Sequence, residues 1–318
     1  MSNGAGSHRD PFHLGEVRVP GGALRVARAG APPAEADTVV LAVHGITSSL
    51  MAWRTVGREL ADVPGVCLLA PDLRGRGQSA RLPGPYGMAA HVNDLIAVLD
   101  QAGVERVVLA GHSMGAYVVA RLAAQHPDRS AAAVLLDGGL KIPIPPDEDP
   151  AELLKVGVEQ ATARLAMTFE SIDEYVDLWR AHPALLREWN DDVEEYARYD
   201  VGGEPGAMRC VVSAAAVEAD CVDLMYDEAT RSAVDQVRAP LFLVCAPSGL
   251  FDDDPILTGP VLDRFAATHP DAHIETVKGA NHYTMVFGAG PGPRRVTAVI
   301  AAAIHRNRVH TGAGGQPG

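Results

Sequence analysis

Hydrophobic residues fall along the chain in short unbroken runs, separated by amphipathic segments of helical length. TVVLAVHG (38–45), VCLLAPD (66–72), RVVLAGH (106–112), AAAVLLDG (131–138), PLFLVCA (240–246) and HIETVKG (273–279) have strand character. Most of them show no alternation of polar and apolar positions, as expected for parallel strands covered on both faces. Segments 51–62, 88–102, 114–126, 258–269 and 292–306 carry helical spacing. Strand and helix therefore alternate as in a parallel sheet flanked on both sides. Near the start, EVRVP and LRVARA on either side of PGG predict an antiparallel hairpin.

The rhythm breaks once. After LLDGG comes LKIPIPPDEDP, whose prolines cannot continue a helix. From 150 to about 235 the pattern is helical, with PAELLKVGVEQATARLAMTF and SIDEYVDLWRAHPALLREW as clear pieces, and strand character resumes at Pro240. Such an insertion is longer than any ordinary connection between core strands. The expected organisation is a core domain over 1–140 and 236–308, a helical cap inserted at 141–235, and a disordered tail at 309–318.

Composition narrows the function. A chain of 318 residues, 47% hydrophobic and 21% charged, can hold one large α/β domain with an insertion, or two smaller domains. The net charge of −13 argues against a nucleic-acid partner, which would demand a concentrated basic face. The opening MSNGAGSHRDPFHLGE lacks the basic stretch and apolar run of a secretory signal, and no apolar run is long enough to span a membrane. Cys67, Cys210, Cys221 and Cys245 show neither C-x-x-C nor zinc-ligand spacing. The expectation is a cytoplasmic, bacterial protein, monomeric or homodimeric, acting on a small molecule without metal or cofactor. Neither a phosphate-binding glycine loop nor a nicotinamide or flavin fingerprint occurs.

The chemistry centres on LAGHSMGAY (109–117), where a single serine separates an apolar strand from an Ala-rich helix. A tight turn without chemistry would also favour those glycines. The strand–turn–helix setting, however, is the one that G-x-S-x-G needs to expose a nucleophilic hydroxyl, here that of Ser113. The following amide, that of Met114, opens a helix, where negative charge is favoured. A serine needs a base. Of the twelve histidines, His282 in VKGANHYTM is best placed, in a loop after the last strand and before the C-terminal helix. His112 is locked in the turn. In LAVHGITSS the small Gly45 lets the backbone turn, so that the amide of Ile46 can face the same point as Met114 and stabilise an oxyanion.

On HGITSSLMAW, PDLRGRGQS, GHSMG, LLDGG and GANH, in that order and at these spacings, the chain resembles the α/β-hydrolase superfamily, specifically its cap-containing serine hydrolases, over about residues 16–306. The resemblance implies an α/β-hydrolase fold: a mostly parallel eight-stranded sheet, helices on both faces and a helical cap. It also implies Ser113 as nucleophile, His282 as base, and Ile46 with Met114 as oxyanion amides. No catalytic role is carried onto DLRGRGQS.

The acid is less determined. In most relatives an aspartate follows the strand after the cap in a G-x-x-D-like pattern, but here FLVCAPSGLFDDDPIL departs from it, leaving Asp254, Asp252 and Asp253 as candidates. Asp137 at the end of AAAVLLDGG is the other, at a position some relatives use. A strand end holds a carboxylate more rigidly than a lengthened acidic loop, which favours Asp137.

A serine at the elbow, where epoxide hydrolases and haloalkane dehalogenases of this fold carry an aspartate, points to an acyl-enzyme. The leading expectation is cleavage of a carboxylic ester or lactone of a medium-sized apolar molecule. Two alternatives stay open: non-hydrolytic use of the same residues (C–C cleavage, lyase, acyltransferase or cyclase chemistry), and a ligand-binding protein on a hydrolase scaffold. Phe169, Tyr175, Trp179 and Trp189 in the cap are candidates for lining the substrate pocket, or for plain packing.

Overall fold

The structure, a computed structural model, describes residues 10–312, with side chains through Arg306. Eight strands form one sheet: β1 (His13–Val19), β2 (Gly22–Gly30), β3 (Thr38–Val43), β4 (Val66–Pro71), β5 (Val107–His112), β6 (Ser130–Leu136), then β9 (Leu241–Cys245) and β10 (His273–Thr276). Their spatial order is β1-β2-β4-β3-β5-β6-β9-β10. The first two strands form the expected hairpin and run antiparallel to their neighbours, while every pairing from β4 to β10 is parallel.

The unbroken apolar runs follow from what covers each face. Along β3, Val40 and Ala42 pack into the core with Val56 and Leu60 of α1 (Arg54–Ala61) and Val296 and Ile300 of α10 (Pro291–Gly312). The alternate residues Val39, Leu41 and Val43 pack on the other side. The core on that side also takes in residues of α2 (Met88–Gln101), α3 (Met114–Gln125) and α9 (Gly259–Thr268). A period of two along a strand sends successive side chains to opposite faces, so two covered faces leave no polar position.

Between β6 and β9 the chain builds α4 (Pro150–Thr162), α5 (Ile172–Arg180), α6 (Asp191–Tyr199), α7 (Ala214–Tyr226) and α8 (Glu228–Arg231). A two-stranded ribbon, β7 (Val201–Gly202) with β8 (Arg209–Cys210), interrupts these helices, and the helical pattern of the sequence did not signal it. Carboxylates of the insertion clamp it to the core. Asp192 accepts from Arg54 Nε at 2.9 Å, Thr55 Oγ1 at 2.9 Å and Arg58 Nη1 at 2.7 Å. Asp220 and Asp223 accept from Gly87 and Met88 N–H, at 3.0 and 2.8 Å, at the start of α2, where the helix dipole favours anions. Asp220 also pairs with Arg76 and His91, all buried. Breaking one partner of such a buried pair costs about 3–5 kcal/mol. By contrast α4 buries none of its residues.

Two boundaries differ from the sequence reading. The first predicted helix begins as a 3-10 turn over Leu50–Trp53 before α1. The last helix continues to Gly312, so residues 309–312 are helical where a tail was expected, and the rest of that segment lies outside the described residues. Among the described residues no helix is long and apolar enough to cross a membrane.

Candidate active site

The strand–helix junction at Ser113 is tight because two glycines allow it. A Cβ on Gly115 would stand 2.2 Å from the Val43 carbonyl oxygen, and one on Gly111 would stand 2.2 Å from that of Gly115. Between them Ser113 adopts φ 56°, ψ −122°, a conformation that L-residues avoid at a cost of about 1–3 kcal/mol. Among the described residues the other non-glycine positions with positive φ are Asp137 and Asp252. The Ser113 N–H donates to the Leu136 carbonyl at 2.9 Å, which ties the elbow to the end of β6.

Asp137 is the next residue. It is fully buried; its N–H donates to Val244 O at 2.8 Å and its Oδ1 accepts from Ala246 N–H at 3.1 Å. Its Oδ2 lies 2.7 Å from His282 Nδ1. The histidine is held at two further points. Its N–H donates to Ser248 O at 3.0 Å, and its carbonyl accepts from His112 Nε2 at 2.8 Å. The two imidazoles sit 4.6 Å apart, centroid to centroid. Burial, reinforced by the neighbouring His282, pushes the pKa of His112 well below the usual imidazole value, so His112 is a neutral donor. Locked in its turn as the sequence implied, it also fastens the loop that carries His282.

Ser113, Asp137 and His282 thus share the carboxyl edge of β5 and β6. Among the described residues no hydrogen bond joins Ser113 Oγ to His282, whose Nε2 has no protein partner. Catalytic bonds of this kind often tighten only in a complex. Asp252, Asp253 and Asp254 lie exposed in the loop after β9, where Asp253 closes the turn by accepting from Phe251 N–H at 3.2 Å. Neither alternative acid, Asp254 or Asp252, is the carboxylate that meets the imidazole.

Opposite Ser113 the loop after β3 carries Ile46. A Cβ on Gly45 would stand 3.2 Å from that of Ser113, so this loop approaches the elbow closely. Among the described residues neither the Ile46 nor the Met114 N–H donates to a protein acceptor. His44 Nε2 accepts from Leu73 N–H at 3.0 Å, which places the ring proton on Nδ1 and makes it the donor to Gly45 O at 2.8 Å. Burial pushes the pKa of His44 down to about 3, so the ring stays neutral.

The insertion contributes aromatic residues in two settings. Trp179 meets Tyr283, the neighbour of His282, edge to face at 5.8 Å, and His182 packs against both Tyr283 and Phe251. Phe169 and Tyr175 pack together at 5.0 Å deeper in the insertion, where the Tyr175 hydroxyl donates to Asp200 Oδ2 at 2.7 Å. Trp189 carries the Arg180 guanidinium over its ring at 5.1 Å. Among the described residues no ring contact joins Phe169, Tyr175, Trp179 or Trp189 directly to His282. No group of three or more His, Cys, Asp or Glu among the described residues is arranged to hold a metal ion.

A family model described as the alpha/beta hydrolase fold matches residues 38–180, which include the elbow, the Ile46 loop and Asp137. The chain is an α/β-hydrolase-fold protein. Structures similar to it throughout agree. E-2-(acetamidomethylene)succinate hydrolase superposes with a TM-score of 0.74 at 22% identity, over 92% of this chain and 99% of that one. A thioesterase domain from the curacin biosynthetic pathway gives 0.73 at 19%, over 91% and 99%. At such identities the likeness is one of fold. Curated relatives match locally: Lipase LipV of Mycobacterium tuberculosis is 42% identical over 98 residues, 31% of this chain and 36% of that protein. Epoxide hydrolase A of the same organism is 41% identical over 115 residues, 36% and 34% of the two chains. The matches span about a third of these relatives' length.

Sequence reading of this α/β-hydrolase-fold chain missed several residues around the site. Arg76, in a loop to which no catalytic role was given, donates from Nε to Ile46 O at 2.9 Å. Arg164, half-buried, pairs with the fully buried Asp200 beside Tyr175 and Trp179. An arginine and an aspartate 36 positions apart in a helical insertion carry no local signal of pairing. Tyr283, adjacent to His282 in NHYT, was within reach of the motif and was passed over.

Proposed function

We propose that this chain is a cofactor-independent serine hydrolase that cleaves a carboxylic ester or lactone of a medium-sized, apolar small molecule through an acyl-enzyme. The observation that carries the proposal is the buried Asp137–His282 contact of 2.7 Å beside the strained elbow at Ser113. With Nδ1 committed to Asp137, His282 presents Nε2 as the base. Ser113 Oγ attacks the carbonyl carbon while its proton passes to Nε2, and the new oxyanion faces the N–H groups of Ile46 and Met114. Collapse of the tetrahedral species breaks the C–O bond, and the leaving oxygen takes the proton from His282. Water then repeats the sequence on the acyl-enzyme, releasing the acid and free Ser113.

The helical insertion at 141–235 is, in this reading, a cap that supplies the substrate pocket. The Trp179–Tyr283 contact next to the base supports recognition of an apolar or aromatic group, and Trp179 is the aromatic residue assigned there. The local likeness to a protein named as a lipase supports ester chemistry. The likeness to a protein named as an epoxide hydrolase does not favour epoxides, because the residue at the elbow here is a serine.

The test pairs Ser113→Ala with labelling of the folded wild type by a fluorophosphonate. Turnover of a p-nitrophenyl ester should fall by about 10³-fold or more in the variant, and mass spectrometry should place the label on Ser113. Full activity in Ser113→Ala removes the mechanism. An unlabelled wild type favours ligand binding, and a product of unchanged mass favours a non-hydrolytic outcome.

A further inference from the structure

Three consecutive carbonyls in the loop after β3 each accept from a different side chain. Gly45 O accepts from His44 Nδ1 at 2.8 Å, Ile46 O from Arg76 Nε at 2.9 Å, and Thr47 O from Arg164 Nη2 at 3.1 Å. This loop has no strand partner, so these bonds, with the turn from Ser48 N–H to Gly45 O, set its peptide planes. His44 and Arg76 belong to the core around the sheet. Arg164 belongs to the insertion, in the short turn Ala163–Ala166 that follows α4.

We propose that Arg164 is a positioning residue that couples the seating of the insertion to the aim of the Ile46 N–H. The inference rests on the reading above that this N–H is an oxyanion donor. Besides the bond to Thr47 O, the guanidinium makes contacts within the insertion. Its Nη1 pairs with Asp200 Oδ2 and lies 3.1 Å from Cys210 Sγ, and its Cζ stands 4.9 Å from the centroid of the Trp179 ring and 5.6 Å from that of Tyr175. Asp200 is held in turn by the Tyr175 hydroxyl at 2.7 Å. Helix α5, strand β8 and Asp200 at the C-terminal end of α6 therefore fix where Nη1 sits, and the rigid fork of the guanidinium then fixes where Nη2 meets Thr47. A planar fork serves two acceptors at a set separation, one in the insertion and one in the loop. An ammonium in its place keeps the charge opposite Asp200 and loses that geometry. When the insertion is displaced, Thr47 O loses its donor and the loop gains freedom one residue from Ile46. A displaced oxyanion donor costs turnover more than binding, because the charge it stabilises exists only in the transition state.

The test uses the full chain with Arg164→Met, Arg164→Lys and Asp200→Asn. It reads kcat and KM on p-nitrophenyl butyrate, the second-order rate of fluorophosphonate labelling, and hydrogen exchange of the peptide covering residues 44–50. Arg164→Met should lower kcat and the labelling rate about tenfold or more, with KM within about threefold of wild type. Exchange at 44–50 should quicken. Arg164→Lys should recover only part of the loss. Wild-type kcat with unchanged exchange overturns the proposal, and so does an effect confined to KM, which would make Arg164 a substrate contact. If Arg164→Met does not fold, the same readings on Arg164→Lys and Asp200→Asn decide. If the wild type neither hydrolyses the ester nor takes the label, the functional reading fails by itself. Exchange at 44–50 in the variants then still accepts or rejects the coupling.

Discussion

Oδ2 of Asp137 stands 2.7 Å from Nδ1 of His282, across 145 positions of sequence, and both side chains are buried. The carboxylate selects the tautomer that leaves Nε2 facing outward. In Asp137→Asn the oxygen can still accept from Ala246 N–H, but the amide NH2 then opposes the Nδ1 proton and favours the wrong tautomer. Turnover of an ester substrate should drop by about 10³–10⁴-fold, with near-UV circular dichroism unchanged. Asp252→Asn and Asp254→Asn should stay within about twofold of wild type, since both side chains lie in solvent. A collapse of activity in Asp254→Asn, with Asp137→Asn active, would move the acid to the loop.

His44 predicts a slope. Burial holds its pKa down at about 3, against an ordinary 6.5, although the bond to Gly45 O acts the other way. Between those values the unfolded chain binds a proton that the folded chain refuses. The stability carried by the neutral ring is therefore complete above pH 6.5 and is lost as pH falls below it. One proton corresponds to about 1.4 kcal/mol per pH unit. His44→Gln removes that titration, so its stability from urea unfolding should fall less steeply than wild type between pH 6 and 4.5, by up to that amount per unit. Parallel slopes would show that the ring is protonated in the native state.

The sheet was legible because burial on both faces writes itself as unbroken apolar runs, and the elbow because only glycine admits the approaches at Gly111 and Gly115. The loop position singled out His282 once Ser113 was read as a nucleophile, and the structure sets its ring against Asp137. The carboxylate partner of that ring was harder to read, since Asp137 directly after β6 and the 252–254 cluster in the loop after β9 differ in burial, which one sequence does not display. Least visible were the polar bonds between insertion and core. Asp192 with Arg58, Asp220 with Arg76 and Arg164 with Thr47 join residues more than a hundred positions apart. In the sequence each resembles a solvated surface charge. Only the docking of the insertion turns them inward, and docking is a global property of the fold.

Tyr199 and Asp72 offer the remaining test. The Tyr199 hydroxyl, at the end of α6, donates to Asp72 Oδ2 at 2.6 Å, while Leu50 and Gln78 N–H each donate to the same carboxyl at 2.8 Å. Burial outweighs these three donors and lifts the pKa of Asp72 to about 7, with Asp200 adding to the lift. The folded chain therefore keeps a proton that the unfolded chain has released above its ordinary 3.8, and stability contributed by this group falls as pH rises between those values. The tyrosine matters most once the carboxyl is charged, because bonds to ionised groups are roughly twice as strong as neutral ones. Tyr199→Phe should therefore cost about 1 kcal/mol at pH 5.5 and about 2–3 kcal/mol at pH 9, measured by urea unfolding at both. An equal loss at the two values would mean that Asp72 does not change its protonation between them, and that the contact is a neutral bond or an ionic one throughout.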